Sequence, residues 1–250
     1  MFLDALERVV KNYYQTLQAL NEDQFLYLRP SISKKSRIIG VYGNTDYRFI
    51  VYSAIRTVIP HSRARMYLET TTQFSDAQTQ NGRMKGGFNY ALRSLCEDPL
   101  IHSGNWDCVL WTCKDIANPA RRIVQEFGIL NVFFVENSVL ITPALDDSFL
   151  PGKTRELILT LAKHASIPCI EKTVYVDEFL AGIQSKRITE IFGSGTAANG
   201  IQQFEKLGGD IIAPHPVFFN ESPVAKNLQG YIQKVYSGDL FPELTHPVQM

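Results

Sequence analysis

The chain has 250 residues, of which 45% are hydrophobic and 20% are charged. This length is enough for one large domain, or a medium one with a small appendage, around a substantial core. The 25 basic and 25 acidic residues give a formal net charge of +0, which argues against a general nucleic-acid-binding protein because phosphate binding needs a basic surplus. No apolar run reaches the length of a membrane span.

The amino terminus and the cysteines bear on the cellular location. The first residues form an amphipathic pattern with early acidic residues, unlike a signal or transit peptide. The four cysteines show neither paired nor metal-ligand spacing, and they are Cys96, Cys108, Cys113 and Cys169. Most resemble small buried hydrophobic residues, so we expect a reducing compartment, and the cytoplasm is the simplest choice. No metal site and no membrane partner are predicted.

The first third of the chain is predicted to contain a helix and then strands. Apolar residues recur at helical spacing over residues 2–20. Runs rich in β-branched and aromatic residues then predict strands, and these runs are "QFLYLRPSI" (24–32), "RIIGVYG" (37–43), "RFIVYSAIRTVI" (48–59) and "HSRARMYLETTTQF" (61–74).

The remainder alternates between the two periodicities. Helices are predicted over residues 85–96, 152–166, 177–185 and 223–238. Strands are predicted at "DCVLWTC" (107–113), "LNVFFVENSVLITP" (130–143, a hairpin turning at "ENS"), "PCIEKTVYV" (168–176) and "ITEIFGSGTAANG" (188–200, ending in a glycine-rich turn). The mixture, without repeats or low-complexity segments, predicts a mixed α/β (α+β) fold.

Four features could take part in chemistry, and each also has an ordinary structural explanation. Lys85 precedes two glycines and the start of a helix. Lysine forms Schiff bases when its pKa is lowered, and glycines let a ligand approach the backbone. A surface charge beside a flexible turn explains the same residues. Glu126 precedes an apolar strand, where a carboxylate needs a partner, but an exposed glutamate at the end of a helix would look alike.

The other two features are candidate anion sites. "GSGTAANG" (193–200) leaves a strand with free N–H groups and two hydroxyls, although such turns are common without a ligand. "LPGKTRELIL" (150–159) opens the clearest helix of the chain, whose N–H groups and dipole favour a phosphate. Thr154 could equally serve only as a cap.

The order and spacing of these features resemble the class IV, fold-type IV pyridoxal-phosphate aminotransferases, and most closely the branched-chain amino acid aminotransferases. The resemblance rests on "LYLRP" (26–30), "KGGFNYA" (85–91), "VLWT" (109–112), "EFGILNVFFV" (126–135), "TPALDDSFLPGKTR" (142–155) and "EIFGSGTAA" (190–198). It implies a fold-type IV large domain over residues 31–250, and a remnant of the small domain with the interdomain segment over residues 1–30.

The resemblance also implies a role for particular residues. Lys85 would bind the cofactor as an aldimine and then act as general base. Glu126 would face the pyridine nitrogen and keep it protonated, Tyr90 would bond the phenolate oxygen, and Leu150 would pack on the ring. The phosphate would be held by Lys153 and Thr154 and by Thr196. The substrate carboxylate would be received by the Thr196–Ala197 backbone together with Tyr27 and Arg29.

The expected activity is transamination between an apolar L-amino acid and 2-oxoglutarate by a homodimer, in branched-chain amino acid metabolism. The family's small domain supplies an arginine to the phosphate and much of the substrate pocket, and this sequence starts near the last helix of that domain. The alternative hypothesis is therefore a shortened, weakly active or inactive homologue that acts by binding or as a subunit. A D-amino acid transaminase or a lyase of the same fold is a further alternative.

Overall fold

A computed structural model describes residues 2–21, 24–34, 46–57, 63–72, 81–113, 118–212 and 215–246. The chain forms two compact units, Met1–Pro60 with Thr245–Met250, and His61–Leu244. The strand predicted over residues 37–43 lies outside the described residues. Within the described part, no helix is both long enough and apolar enough to span a bilayer.

The described residues of the smaller unit form two helices and a two-stranded sheet. Its elements are α1 (Phe2–Asn12), α2 (Tyr14–Gln18), β1 (Gln24–Lys34) and β2 (Tyr47–Thr57). The two strands are antiparallel partners along their whole length, as their β-branched and aromatic residues predict. Residue 30, after which we expect the small-domain remnant to end, lies inside β1. That boundary stays a prediction.

The larger unit contains nine strands and four α-helices among its described residues. The strands are β3 (Ala64–Leu68), β4 (Cys108–Cys113), β5 (Ile123–Phe127), β6 (Asn131–Glu136), β7 (Val139–Pro143), β8 (Cys169–Lys172), β9 (Ile188–Gly195), β10 (Gly200–Gly208) and β11 (Val217–Phe218). The helices are α3 (Gly87–His102), α4 (Lys153–His164), α5 (Val176–Gln184) and α6 (Pro223–Tyr236). The mixed fold class is confirmed.

Six of these strands pair in a closed circle, in the order β3, β4, β5, β6, β9 and β10, with β10 returning to β3. The β10–β3 and β3–β4 pairs are parallel and the other four are antiparallel. β7 and β8 extend the sheet beyond β6, and β11 extends it beyond β10. Closure satisfies strand edges that would otherwise be left unpaired.

The core lies on both faces of this sheet. Alternate residues of a strand point to opposite faces, and β6 is apolar on both. Val132 and Phe134 join one buried cluster, whereas Phe133 and Val135 join another that includes buried residues of α4 and α6. The Phe133 ring stacks on that of Phe192 in β9 with centroids 5.4 Å apart. The strand that follows Glu126 is therefore held rigidly from both sides.

The hairpin predicted at "ENS" is confirmed: Asn137 and Ser138 both have positive φ, as a tight turn between β6 and β7 requires. Three of the strands were not predicted: β5, β10 and the two-residue β11. β5 contains Gln125 and Glu126, and β10 reads "GIQQFEKLG". Their polar residues hide the apolar signal on which a strand prediction depends.

Candidate active site

The amine of Lys85 lies beside a tyrosine hydroxyl at the start of α3. Lys85 comes two residues before the helix begins, and its side chain is exposed. Its Nζ donates to the Tyr90 hydroxyl oxygen over 3.1 Å. The intervening turn is fixed by the Asn89 side-chain amide, which donates to the Met84 carbonyl over 2.9 Å. The sequence spacing of Lys85, Asn89 and Tyr90 thus brings an amine and a phenol together.

The two glycines after Lys85 do not require glycine's conformational freedom. Gly86 is the residue before α3, in extended conformation, and a Cβ at Gly87 would meet no atom within 4 Å. A Cβ at Gly86 would lie 2.4 Å from the Phe88 ring, which is a side chain that can rotate away. At Gly82, by contrast, a Cβ would lie 2.0 Å from the backbone carbonyl carbon of Ser148. The glycine that the packing requires is therefore three residues before the lysine.

Glu126 carries a buried carboxylate with partners on both oxygens. Its Oε1 lies 2.9 Å from Nη1 of Arg93 in α3, and both side chains are more than nine-tenths buried. Its Oε2 accepts from the Asn131 side-chain amide over 3.2 Å and from the Leu150 backbone N–H over 3.3 Å. A buried charge needs this kind of pairing to be tolerated.

Burial and the ion pair act on Glu126 in opposite directions. Burial is the larger effect and raises the pKa of its carboxyl from 4.5 to about 7. The guanidinium of Arg93, the Leu150 N–H and the ammonium of Lys85 each hold that pKa lower than burial alone would. A carboxyl with a pKa near 7 exchanges its proton at physiological pH.

One small cavity joins these groups. It encloses about 30 Å³, room for roughly two water molecules. Among the residues that line it are Tyr90, Arg93, Glu126, Gly128, Asn131 and Leu150.

The helix α4 begins next to the same network. Gly152 precedes its first residue and, within the described part of the chain, no side chain caps the helix, so first-turn N–H groups are open to an anion. A Cβ on Gly152 would lie 2.1 Å from Oδ1 of Asn131. Thr154 is buried, whereas the Lys153 side chain extends into solvent and pairs with Glu156 at 2.9 Å. The backbone N–H of Lys153, not its ammonium, is what the helix terminus offers.

The glycine-rich turn follows β9, which pairs with β6. The register places Ser194 directly opposite Asn131, so the two side chains share a face. The Ser194 hydroxyl is buried and has no hydrogen-bond partner among the described residues. The chain then forms a short 3₁₀ turn, Thr196–Ala198, in which Thr196 and Ala197 are exposed. A Cβ on Gly195 would lie 2.7 Å from the Leu130 side chain, so this turn adjoins the β5–β6 turn.

Tyr27 and Arg29 belong to the smaller unit. They occupy alternate positions of β1 and therefore share a face. The Arg29 Nε donates to the Tyr27 hydroxyl over 3.3 Å, and its guanidinium lies 5.5 Å from the centre of the Tyr27 ring. The two residues are thus close enough to act on one carboxylate.

Two residues of the Glu126 network were not among the predicted site residues. Arg93 could have been found from helical spacing, since it follows Tyr90 by three residues and precedes Glu97 by four on the same helix face. Asn131 stood in the quoted motif, five residues after Glu126, without a role. Its amide bridges the Glu126 carboxylate and the Leu150 carbonyl, the latter over 2.8 Å.

Comparison with known proteins gives this arrangement a context. Residues 4–202 match the family "Amino-transferase class IV". A probable branched-chain-amino-acid aminotransferase of Staphylococcus aureus is 33% identical over 71% of this chain and 49% of its own. The chain thus spans about half the length of the curated relatives it matches. The branched-chain aminotransferase of Escherichia coli is 26% identical, with a TM-score of 0.63 over 86% of this chain and 64% of its own.

The fold agrees with further solved structures. A branched-chain amino acid aminotransferase of Thermobaculum terrenum, solved in its PLP form, superposes with a TM-score of 0.70 over 90% of this chain and 69% of its own, at 21% identity. The fold-type IV architecture predicted from the motifs is therefore confirmed. The family is dependent on pyridoxal phosphate. On the match over residues 4–202 and the shared fold, the chain belongs to the class IV aminotransferases.

Proposed function

We propose that the chain is a pyridoxal-phosphate-dependent aminotransferase of branched-chain type, which moves the amino group of an apolar L-amino acid to 2-oxoglutarate. The observation that supports this most directly is the grouping of Lys85, Tyr90 and Glu126. The amine is hydrogen-bonded to the phenol, the phenol and the carboxylate line one cavity, and the amine is near enough to lower the carboxyl pKa.

The residues present fit this cofactor in three respects. The Lys85 amine can bind its aldehyde carbon. Glu126 offers a buried carboxylate whose pKa near 7 suits contact with a pyridine nitrogen. The uncapped first turn of α4 offers N–H groups to a phosphate, with the Thr154 hydroxyl beside them. We assign Leu150 to the ring face and the Thr196 turn to a second part of the phosphate site.

Pyridoxal phosphate, when bound, supplies an electron-accepting ring that makes the substrate Cα–H acidic. Each protein group then has one task. The Lys85 Nζ would take the proton from the substrate Cα and hold it for return. The Tyr90 hydroxyl, 3.1 Å from that nitrogen, fixes its position. The Glu126 carboxylate would accept a hydrogen bond from a protonated ring nitrogen.

We assign a role in binding the substrate carboxylate to Tyr27 and Arg29, because Arg binds a carboxylate through two parallel hydrogen bonds. We assign such a role separately to the Thr196–Ala197 backbone. The names of the relatives support branched-chain substrates. We further propose a homodimer in the cytoplasm.

The test is cofactor binding followed by turnover. The purified chain is mixed with pyridoxal phosphate, and its absorption spectrum is recorded before and after addition of L-leucine, then with 2-oxoglutarate. Lys85→Ala should abolish the band of lysine-bound cofactor. The matched control is Lys163→Ala, an exposed lysine in the last turn of α4, which should keep both band and turnover.

Three outcomes separate the candidates. A Lys85-dependent band that L-leucine removes and 2-oxoglutarate restores supports the proposal. A Lys85-dependent band without turnover overturns the transaminase in favour of a binding homologue. Turnover of D-alanine instead of L-leucine overturns the substrate assignment and favours a D-amino acid transaminase.

A further inference from the structure

The side chain of Arg93 is buried in the larger unit. Its Nη1 lies 2.9 Å from the Glu126 carboxylate, and the same nitrogen faces the carbonyl oxygens of Gly128 at 3.2 Å and Phe127 at 3.4 Å. Three acceptors from consecutive residues, at the end of β5 and the start of the β5–β6 turn, therefore converge on one nitrogen. Since Arg93 belongs to α3, the pair joins the helix that follows Lys85 to the strand that carries Glu126.

A second acid borders the same arginine. Glu97 follows Arg93 by one helical turn, and its carboxylate accepts from the Trp111 indole N–H over 2.7 Å. A Cβ on Gly128 would lie 2.2 Å from Glu97 Oε1, so this carboxylate adjoins the same turn. Burial raises the pKa of Glu97, and Arg93 lowers it. One cation thus lies near two acids, the buried Glu126 and the half-buried Glu97, and it lowers the pKa of both.

Among the described residues, the hydrogen bonds to the Glu126 carboxylate leave one of its acceptor sites unoccupied. A carboxylate has about four acceptor sites on its two oxygens. Asn131 and Leu150 occupy those on Oε2, and Arg93 occupies one on Oε1. Among the described residues, the remaining Oε1 site has no donor, and the carboxylate borders the cavity that Tyr90 also lines. A ring N–H would complete the set.

We propose that Arg93 is a positioning residue that keeps the Glu126 carboxylate ionised and turned towards the cavity, ready to bind a protonated ring nitrogen. This proposal rests on the proposed function only in taking the ring to be the pyridine ring of pyridoxal phosphate. The guanidinium opposes the cost of burying a charge, which otherwise favours the neutral acid. The carbonyls of the β5–β6 turn fix the guanidinium in place. Among the described residues, the other titratable groups near Glu126 are Lys85 and Tyr90, at the start of α3, and Glu97, one turn beyond Arg93.

The test follows the ionisation of Glu126 itself. Arg93→Met removes the charge with a side chain of similar length, and Arg93→Lys keeps a single charge. The infrared band of a protonated carboxylic acid is recorded at pH 8 without cofactor, and the same variants with Glu126→Gln added identify the band. In the parent we expect only the weak Glu126 acid band of the small fraction that is still protonated. In Arg93→Met we expect a strong acid band. In Arg93→Lys we expect a band weaker than that of Arg93→Met.

Cofactor binding provides the second measurement. At pH 8, the dissociation constant for pyridoxal phosphate should rise about tenfold or more in Arg93→Met, as for loss of a charge-assisted contact, and Arg93→Lys should recover part of it. Arg65→Met is the control, because that arginine pairs with Asp107 at 2.7 Å and does not line the cavity. A Glu126 that stays ionised at pH 8 in Arg93→Met overturns the role of Arg93. Absence of cofactor binding by the parent overturns the proposed function instead, while the infrared result still decides the ion pair. If Arg93→Met fails to fold, an unchanged acid band and affinity in Arg93→Lys overturns the proposal.

Discussion

Replacing the Glu126 carboxyl with an amide should change how the stability of the larger unit depends on pH. The pKa of this carboxyl is about 7 in the folded chain, against an ordinary value of 4.5. The folded state therefore binds its proton more tightly than the unfolded state does. For an acid whose folded pKa is raised, the stabilisation is present below the unfolded pKa and is lost as pH rises through the folded pKa.

The size of the effect follows from the two pKa values. The difference between 4.5 and about 7 corresponds to about 3 kcal/mol in the free energy of unfolding between low and high pH. Most of this falls between pH 5 and pH 8. The amide introduced by Glu126→Gln would resemble the neutral acid at every pH and would lack this loss. We therefore expect Glu126→Gln to match the parent near pH 5 and to exceed it by about 2 to 3 kcal/mol at pH 8.

Urea unfolding followed by circular dichroism at several pH values measures this difference. Glu97 and Glu190 also have raised pKa values through burial, but they are present in both proteins and cancel in the comparison. Glu156→Gln, at an exposed position of α4, is the control and should follow the parent. If the parent is instead the more stable protein at pH 8, the ion pair with Arg93 outweighs burial, and the reasoning from desolvation is wrong.

Two further substitutions test how the elements around the site are held. Gly82→Ala should destabilise the larger unit by about 1 to 3 kcal/mol, because its Cβ would overlap the Ser148 backbone. Gly87→Ala, where a Cβ has open space, should be neutral or slightly stabilising. Urea unfolding compares the two variants, and equal unfolding midpoints would contradict the close approach at Gly82. Glu190→Ala should lower the free energy of unfolding by about 1 to 3 kcal/mol, because the Glu190 carboxylate accepts from the Val224 and Ala225 N–H groups at the start of α6. The rate of amide hydrogen exchange in α6 should rise. Unchanged protection of these amides would count against the capping role of Glu190.

Much of the fold could be predicted because its elements carry clear local patterns. The α4 helix has an apolar face at helical spacing, and the β6–β7 hairpin has two apolar runs around Asn137 and Ser138. The strands β5 and β10 could not be found in the same way. Their polar residues are tolerated because partners on other elements satisfy them: Arg93 serves Glu126, and the neighbouring strands satisfy the backbone. Such partners are set by tertiary structure, which a local pattern does not contain.

The site shows the same division between local and distant information. Lys85 and Tyr90 are five residues apart at a helix start, so their contact follows from local geometry once the helix is recognised. The motif order indicated Glu126 as well, but not its partner. Arg93 is 33 residues away in sequence, and within its helix it could be taken for a solvated charge.

Closure of the strand circle brings the acceptors that bind Arg93 close to it, and Arg93 thereby becomes part of the site. The β5–β6 turn directs two carbonyls and a carboxylate at the face of α3 that begins with Tyr90. An apolar residue at position 93 would leave these acceptors without a donor, and buried groups without partners are costly. The turn therefore needs a cation there for stability, whatever ligand binds. Because the same cation controls the charge of Glu126, a residue required for packing also sets the proton affinity at the cavity.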